Sequence, residues 1–279
     1  MEKGRIKTDS LGIYIPSRAR YDSKQDTIQR IPFNWLKQTS LVVPKNEADH
    51  YKRALKGSGV SIMKCPLNGI HNVRQWCLEN STDKYLLFLD DDMKFGVRTE
   101  GVRTVNADFD DVDSMFKLLI KWLDSGFMHV GISQRAGNNH VKSNYAETTR
   151  MNNAYAYNVK EFLKTGVRFD RLEVMEDFDV TLSLLKKGFN NRVTFQYAWS
   201  QRKSGDVGGC SIYRTSQLQK ECALKLSKLH PGVVRVVEKT SKQRWEGMES
   251  SKRTDVVIQW KKAYKPQLNK NEGISRFIK

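Results

Sequence analysis

Apolar residues in this chain fall into short runs and amphipathic stripes whose order predicts an α/β fold. Leu11-Gly12-Ile13-Tyr14-Ile15-Pro16, Ser40-Leu41-Val42-Val43-Pro44 and Val60-Ser61-Ile62-Met63-Lys64-Cys65-Pro66 are brief runs, each closed by proline and followed by a polar segment. Runs of this kind read as strands, and their repetition reads as βαβ units. Residues 27–36 predict a short helix broken by Pro32. Asn68 is placed to cap a helix on which Ile70, Val73, Trp76 and Cys77 share helical spacing, ending near Asn80. Tyr85-Leu86-Leu87-Phe88-Leu89 then runs unbroken, as in a strand covered on both faces. Residues 96–108, with only Val97, Val102 and Val105 as aliphatic anchors, predict a loop or irregular edge. Val112, Met115, Phe116, Leu119, Ile120 and Leu123 line one face of a helix over 111–125. Strands are predicted over 130–133, 153–158 and 192–199. Further helices are predicted over 159–165 and up to Gly188. A last one spans 215–229, with Ser216 and Gln219 as its capping box.

The unbroken run at 85–89 ends in Asp90-Asp91-Asp92. Carboxylates buried without partners would cost several kcal/mol each, so these belong at the carboxyl end of the strand, where open α/β sheets hold ligands. In an extended chain Asp90 and Asp92 point together and Asp91 points away. Two hard carboxylates there suit Mg²⁺ or Mn²⁺ shared with phosphates; the alternative is a polar turn that binds nothing. After Pro16, Arg18 and Arg20 are either forks for a diphosphate or base, or plain solvated charges. Asn72 and Arg74 fall in the opening turns of a helix, where anions are favoured. Glu176, Asp177 and Asp179 open another helix. Acids there complement the helix dipole, but a tight Glu-Asp pair straight after Val174-Met175 exceeds that need. Residues 200–211, with Arg202-Lys203, form a Gly-rich basic loop of functional character.

Charge adds a partner class. Lys+Arg number 48 against 31 Asp+Glu, a net +17 spread through the 279 residues, as expected of a protein that meets a polyanion. A merely soluble basic surface, or one with affinity for anionic lipid, is the other reading. Residues 230–279 hold twelve Lys+Arg and five Asp+Glu. Cys65, Cys77, Cys210 and Cys222 form no C-x-x-C pair and are expected to be free thiols. With no membrane-length apolar window and no signal-peptide core, a soluble intracellular protein is expected.

Together these features resemble the GT-A glycosyltransferases over about residues 11–229. Leu89-Asp90-Asp91-Asp92 matches their D-x-D element, Gly69–Arg74 the donor-side helix start, and Met175-Glu176-Asp177 the acidic pair of inverting members, about 85 residues further on. Ile15-Pro16-Ser17-Arg18-Ala19-Arg20 and Val42-Val43-Pro44-Lys45-Asn46-Glu47 resemble one phage group, the TET-associated glycosyltransferases, which add sugars to hydroxymethylated pyrimidines in DNA. The resemblance implies a GT-A α/β domain over 8–229, a mixed sheet flanked by helices, with a basic C-terminal extension over 230–279. It implies that Pro16, Ser17, Arg18 and Glu47, with Arg20 beside them, hold the nucleotide, and that Arg74 holds the donor phosphate or sugar. Asp90 and Asp92 would engage Mn²⁺ or Mg²⁺, with Asp91 on the donor ribose or sugar. Asp177 would be the base, with Glu176 beside it on a sugar. The histidine metal ligand of some members has no clear match; His230 is the candidate. The implied donor is a UDP-sugar and the acceptor is 5-hydroxymethylcytosine in double-stranded DNA. The setting would be the cytoplasm of a phage-infected cell, with no membrane involved. Two other readings are the same fold acting on a surface glycan, lipid or protein, and a non-catalytic DNA-binding protein on a degenerate transferase fold. The identity of the sugar, base flipping and oligomeric state are left open.

Overall fold

The computed structural model describes residues 10–22, 25–100, 102–201, 213–240 and 252–266. Leu11–Pro16 (β1), Thr39–Pro44 (β2), Ser61–Cys65 (β3) and Tyr85–Phe88 (β4) lie parallel in the order β3-β2-β1-β4. Their connections carry Phe33–Leu36 (α1), Ala48–Ala54 (α2) and Ile70–Asn80 (α3). The sheet continues through Met93–Arg98 (β5), Thr104–Asn106 (β6), His129–Gln134 (β7), Tyr145–Glu147 (β8), Tyr155–Asn158 (β9) and Asn191–Gln201 (β10). The order is β4-β9-β7-β10-β5-β6, with β8 paired to β10. β9 is antiparallel to β4 and β7, so the sheet is mixed, as the family resemblance implied.

Both faces are covered because alternate residues of the central strands point to opposite sides. Ile13, Ile15, Leu87 and Leu89 join one core with Trp35 and Tyr51; Tyr14, Leu86 and Phe88 join the other with Cys77 and Leu78. Phe109–Asp124 (α4) adds Met115, Phe116, Leu119 and Ile120 to the first core. A distorted turn, Arg135–Asn138 (α5), follows β7. Val159–Lys164 (α6) and Glu176–Lys186 (α7) cover the second face.

One local expectation sharpens and two change. Residues 96–108 contribute the β5–β6 hairpin, so of the two readings the edge holds, with short β6 last in the sheet: a Cβ at Gly96 would come 2.7 Å from the Val105 carbonyl oxygen, so the pairing needs the residue that reads as a strand breaker. Gly69, not Asn68, precedes α3, and Ile70 N donates to the Tyr213 hydroxyl at 3.2 Å. Ser216–Leu229 (α8) is capped by Thr215, whose hydroxyl accepts from Leu218 N at 3.1 Å. Gln219 turns instead to Arg214 and the Thr254 carbonyl.

The described part of the C-terminal region forms an antiparallel hairpin, Val234–Thr240 (β11) with Lys252–Ile258 (β12), and a single turn, Trp260–Ala263 (α9). Val233, Val234, Val256 and Ala263 close a third core with Leu182 and Leu185 of α7 and Cys222 and Leu226 of α8. No helix among the described residues is long and apolar enough to cross a membrane.

Candidate active site

β4 stops at Phe88, so Asp90–Asp92 lie in a turn into β5 rather than in an extended strand. The facing expected from alternation is therefore replaced by another. Arg20 Nη1 donates to Asp91 and lies 3.4 Å from Asp92 Oδ2, so those two neighbours share one cation. Asp91 is buried and also accepts from Ser17 Oγ at 2.5 Å. Asp90 turns to a different set: Arg74 Nη2 donates to it at 3.1 Å and Asn153 Nδ2 at 2.5 Å. Thr27, fully buried, pins the turn. Its hydroxyl donates to the Asp90 carbonyl at 2.6 Å and accepts from Met93 N at 2.8 Å.

The loop after β1 is built around the same turn. Pro16 ends the strand, and Ala19 takes a left-handed φ of 54°. Glu47 accepts from Ala19 N at 2.7 Å. The Tyr51 hydroxyl of α2 accepts from Arg20 N at 3.0 Å and shares a hydrogen bond with Ser17 Oγ at 2.8 Å. Ser17, Arg20 and Glu47 are thus brought together with Asp91. Arg18 is partly exposed and makes no hydrogen bond or ion pair among the described residues.

Arg74 joins the two acidic features. Only 4% exposed, it donates through Nη1 to Glu176 and through Nη2 to Asp90, with the rings of Tyr155 and Phe88 at 5.2 and 5.9 Å. It therefore sits behind the carboxylates. Met175, with a φ of 65°, turns the chain so that Glu176 and Asp177 open α7 toward this cation. Burial pushes Glu176 up to about 7 against the opposing pull of Arg74. Asp177 is also raised by burial, against Arg74 and Arg150, and accepts from Phe178 N at 2.9 Å. Asp92 is raised to about 6 by burial and by the charges of Asp90 and Asp91, with Arg20 opposing.

His230 is buried elsewhere. Its Nε2 lies 2.7 Å from Asp179 Oδ1, and Asp179 also takes Arg171 at 2.5 Å. That engagement speaks against the metal-ligand candidacy of His230, and no group of three or more metal-ligating side chains occurs among the described residues. Arg202, Lys203 and Cys210 lie outside the described residues, whereas Cys65, Cys77 and Cys222 are buried free thiols. Sequence reasoning missed Thr27, Tyr51 and Asn153. Only Asn153 left a signal, an Asn-Asn pair just before β9, and asparagine tolerates its left-handed φ of 61°.

The mixed sheet, with acids at the end of its central strand, is the fold of the GT-A glycosyltransferases. Similar solved structures include glucosyl-3-phosphoglycerate synthase from Mycobacterium tuberculosis, crystallised with Mn²⁺, UDP-glucose and phosphoglyceric acid. It shares 13% identity over 88% of this chain and 89% of that one, with a TM-score of 0.51. A mycobacterial protein has 12% identity, 90% and 83% coverage and a TM-score of 0.54. S. aureus TarS 1–349 with UDP-GlcNAc has 12% identity and a TM-score of 0.51 over 78% of this chain, which spans 66% of that length. No curated protein matches the sequence. The chain belongs to the TET-associated glycosyltransferase family, whose sequence model matches residues 11–209. By family it is a glycosyltransferase.

Proposed function

We propose that this enzyme moves a sugar from a UDP-sugar to the hydroxyl of 5-hydroxymethylcytosine in DNA, with inversion, using a divalent cation at Asp92 and Asp90 and Asp177 as base. The observation that carries the reading is Arg74, which binds Asp90 and Glu176 at once and so makes one site of two acidic clusters distant in sequence. The carboxylates fit a hard cation. Asp90, Asp91 and Asp92 crowd one turn, their mutual repulsion helps raise Asp92, and the nearest cation to Asp92 among the described residues is Arg20 at a long 3.4 Å. Both oxygens of Asp90 already accept hydrogen bonds, which favours Asp92 as the direct ligand. When bound, Mn²⁺ or Mg²⁺ supplies Lewis-acid stabilisation to the departing diphosphate.

Ser17, Arg20 and Glu47 form the nucleotide side of the site. At Asp177 the carboxylate takes the proton of the acceptor hydroxyl as its oxygen bonds to the anomeric carbon. The bond to the diphosphate oxygen breaks and UDP leaves with the electron pair. Arg74 holds Glu176 beside the base and Asp90 on the metal side, while Asp177 accepts from Phe178 N. The DNA acceptor is supported by the family name and by the net charge of +17. In the test, the protein is incubated with Mn²⁺, a panel of UDP-sugars and hydroxymethylated DNA. UDP release that disappears in Asp177→Asn and Asp92→Asn is expected. Release with a glycan, lipid or protein acceptor but never with DNA would overturn the acceptor assignment.

A further inference from the structure

A second constellation lies beside the base and joins residues 148–150, inside the family match, to residues 259–262 beyond it. An open groove of about 420 Å³ is lined by Thr148, Thr149, Gln259, Trp260, Lys261 and Lys262. Trp260 meets Phe178 edge to face, with ring centres 5.7 Å apart, and Phe178 directly follows Asp177. Arg150, next in sequence to Thr149 of the groove, holds its guanidinium 4.8 Å from the centre of the Phe178 ring. The segment is firmly held: Gln259 N donates to the Val233 carbonyl at 2.9 Å, Lys265 N donates to the Leu185 carbonyl at 3.1 Å, and Ala263 is buried. Arg150, Lys261 and Lys262 are exposed, and none forms an ion pair among the described residues. By contrast, Arg20, Arg74, Arg171 and Arg192 are all matched to carboxylates.

Two lysines without an ion pair among the described residues, with the exposed Arg150 between the Phe178 ring and the charge of Asp177, flank a partly exposed indole and form a surface that is complementary to a nucleic-acid strand. Cations of this kind neutralise phosphates, and an aromatic face accepts a base of any sequence. We infer that Gln259–Lys262, together with Thr148–Arg150, seats the acceptor DNA beside Asp177. Lys261, Lys262 and Arg150 lie on backbone phosphates and Trp260 lies against a base. This rests on the DNA reading above.

The test measures binding of a labelled hydroxymethylated duplex by fluorescence anisotropy from about 50 to 200 mM salt. It uses the whole chain as wild type, as Trp260→Leu and as the double variant Lys261→Ala/Lys262→Ala. Circular dichroism and melting temperature check the fold of each. The double variant is expected to lose about two units of slope in log affinity against log salt, at roughly 0.9 per phosphate contact. Trp260→Leu is expected to bind about tenfold more weakly with its slope unchanged. If Trp260→Leu fails to fold, the exposed lysine pair decides alone. Wild-type affinity and slope in the lysine variant would overturn the groove while leaving the DNA reading intact. Absence of DNA binding by the wild type at ~50 mM salt would overturn both.

Discussion

Arg74 holds a guanidinium between Glu176 and Asp90, over two aromatic rings and away from solvent. A buried ion pair contributes little net stability, but removing one partner leaves the other charge uncompensated. Arg74→Met is therefore expected to cost about 3–5 kcal/mol in urea unfolding, and Arg74→Met/Glu176→Gln to regain part of it. Asp92 has the opposite sense. Its proton is held more tightly in the folded chain than at the ordinary 3.8, so its carboxyl favours the fold below that value and opposes it as pH rises through about 6. Without metal at pH 7, Asp92→Asn should be more stable than wild type by up to about 3 kcal/mol. Melting curves across pH should show the gap closing below about pH 4, and Mn²⁺ should narrow it at pH 7 by stabilising the wild type.

At the scale of elements, a helix on the far side of β2 organises the loop after β1. α2 brings Tyr51 under Ser17 and Arg20, while the indole of Trp35 and the ring of Tyr51 lie in the same core. Tyr51→Phe keeps that ring packed and removes only the hydroxyl, leaving the Arg20 N–H without its partner, a loss of about 1–3 kcal/mol. We expect UDP to bind about tenfold more weakly by calorimetric titration, with the melting temperature lowered by only a few degrees. α7 works similarly from the other side. The left-handed Met175 sets the helix so that its first turn carries Glu176 and Asp177 to the cation.

For the molecule as a whole, the third core ties the transferase sheet to the C-terminal hairpin. Leu182 and Leu185 of α7 and Cys222 and Leu226 of α8 are covered by Val233, Val234, Val256 and Ala263, and His230 meets Asp179. Burial of several aliphatic side chains contributes roughly 1.5–3 kcal/mol each. Deleting residues 230–279 should therefore lower the melting temperature by about 10 °C or more and increase binding of a hydrophobic dye. A full-length melting temperature in the truncated chain would show the hairpin to be dispensable for the fold.

The amino-acid order alone determined the α/β class, most strand and helix positions and the identity of both acidic clusters, because runs, periods and adjacent charges are local properties. It left 96–108 between a loop and an edge strand, where a glycine permits a close strand approach, and placed two helix caps one residue away from the observed ones. Only the tertiary structure decided which carboxylate meets which cation: Asp91 and Asp92 with Arg20, Asp90 and Glu176 with Arg74. It also decided that His230 serves Asp179, and that Trp260 stands beside Phe178, 82 positions away in sequence. These pairings depend on how the strands are ordered across the sheet, which no window of sequence contains.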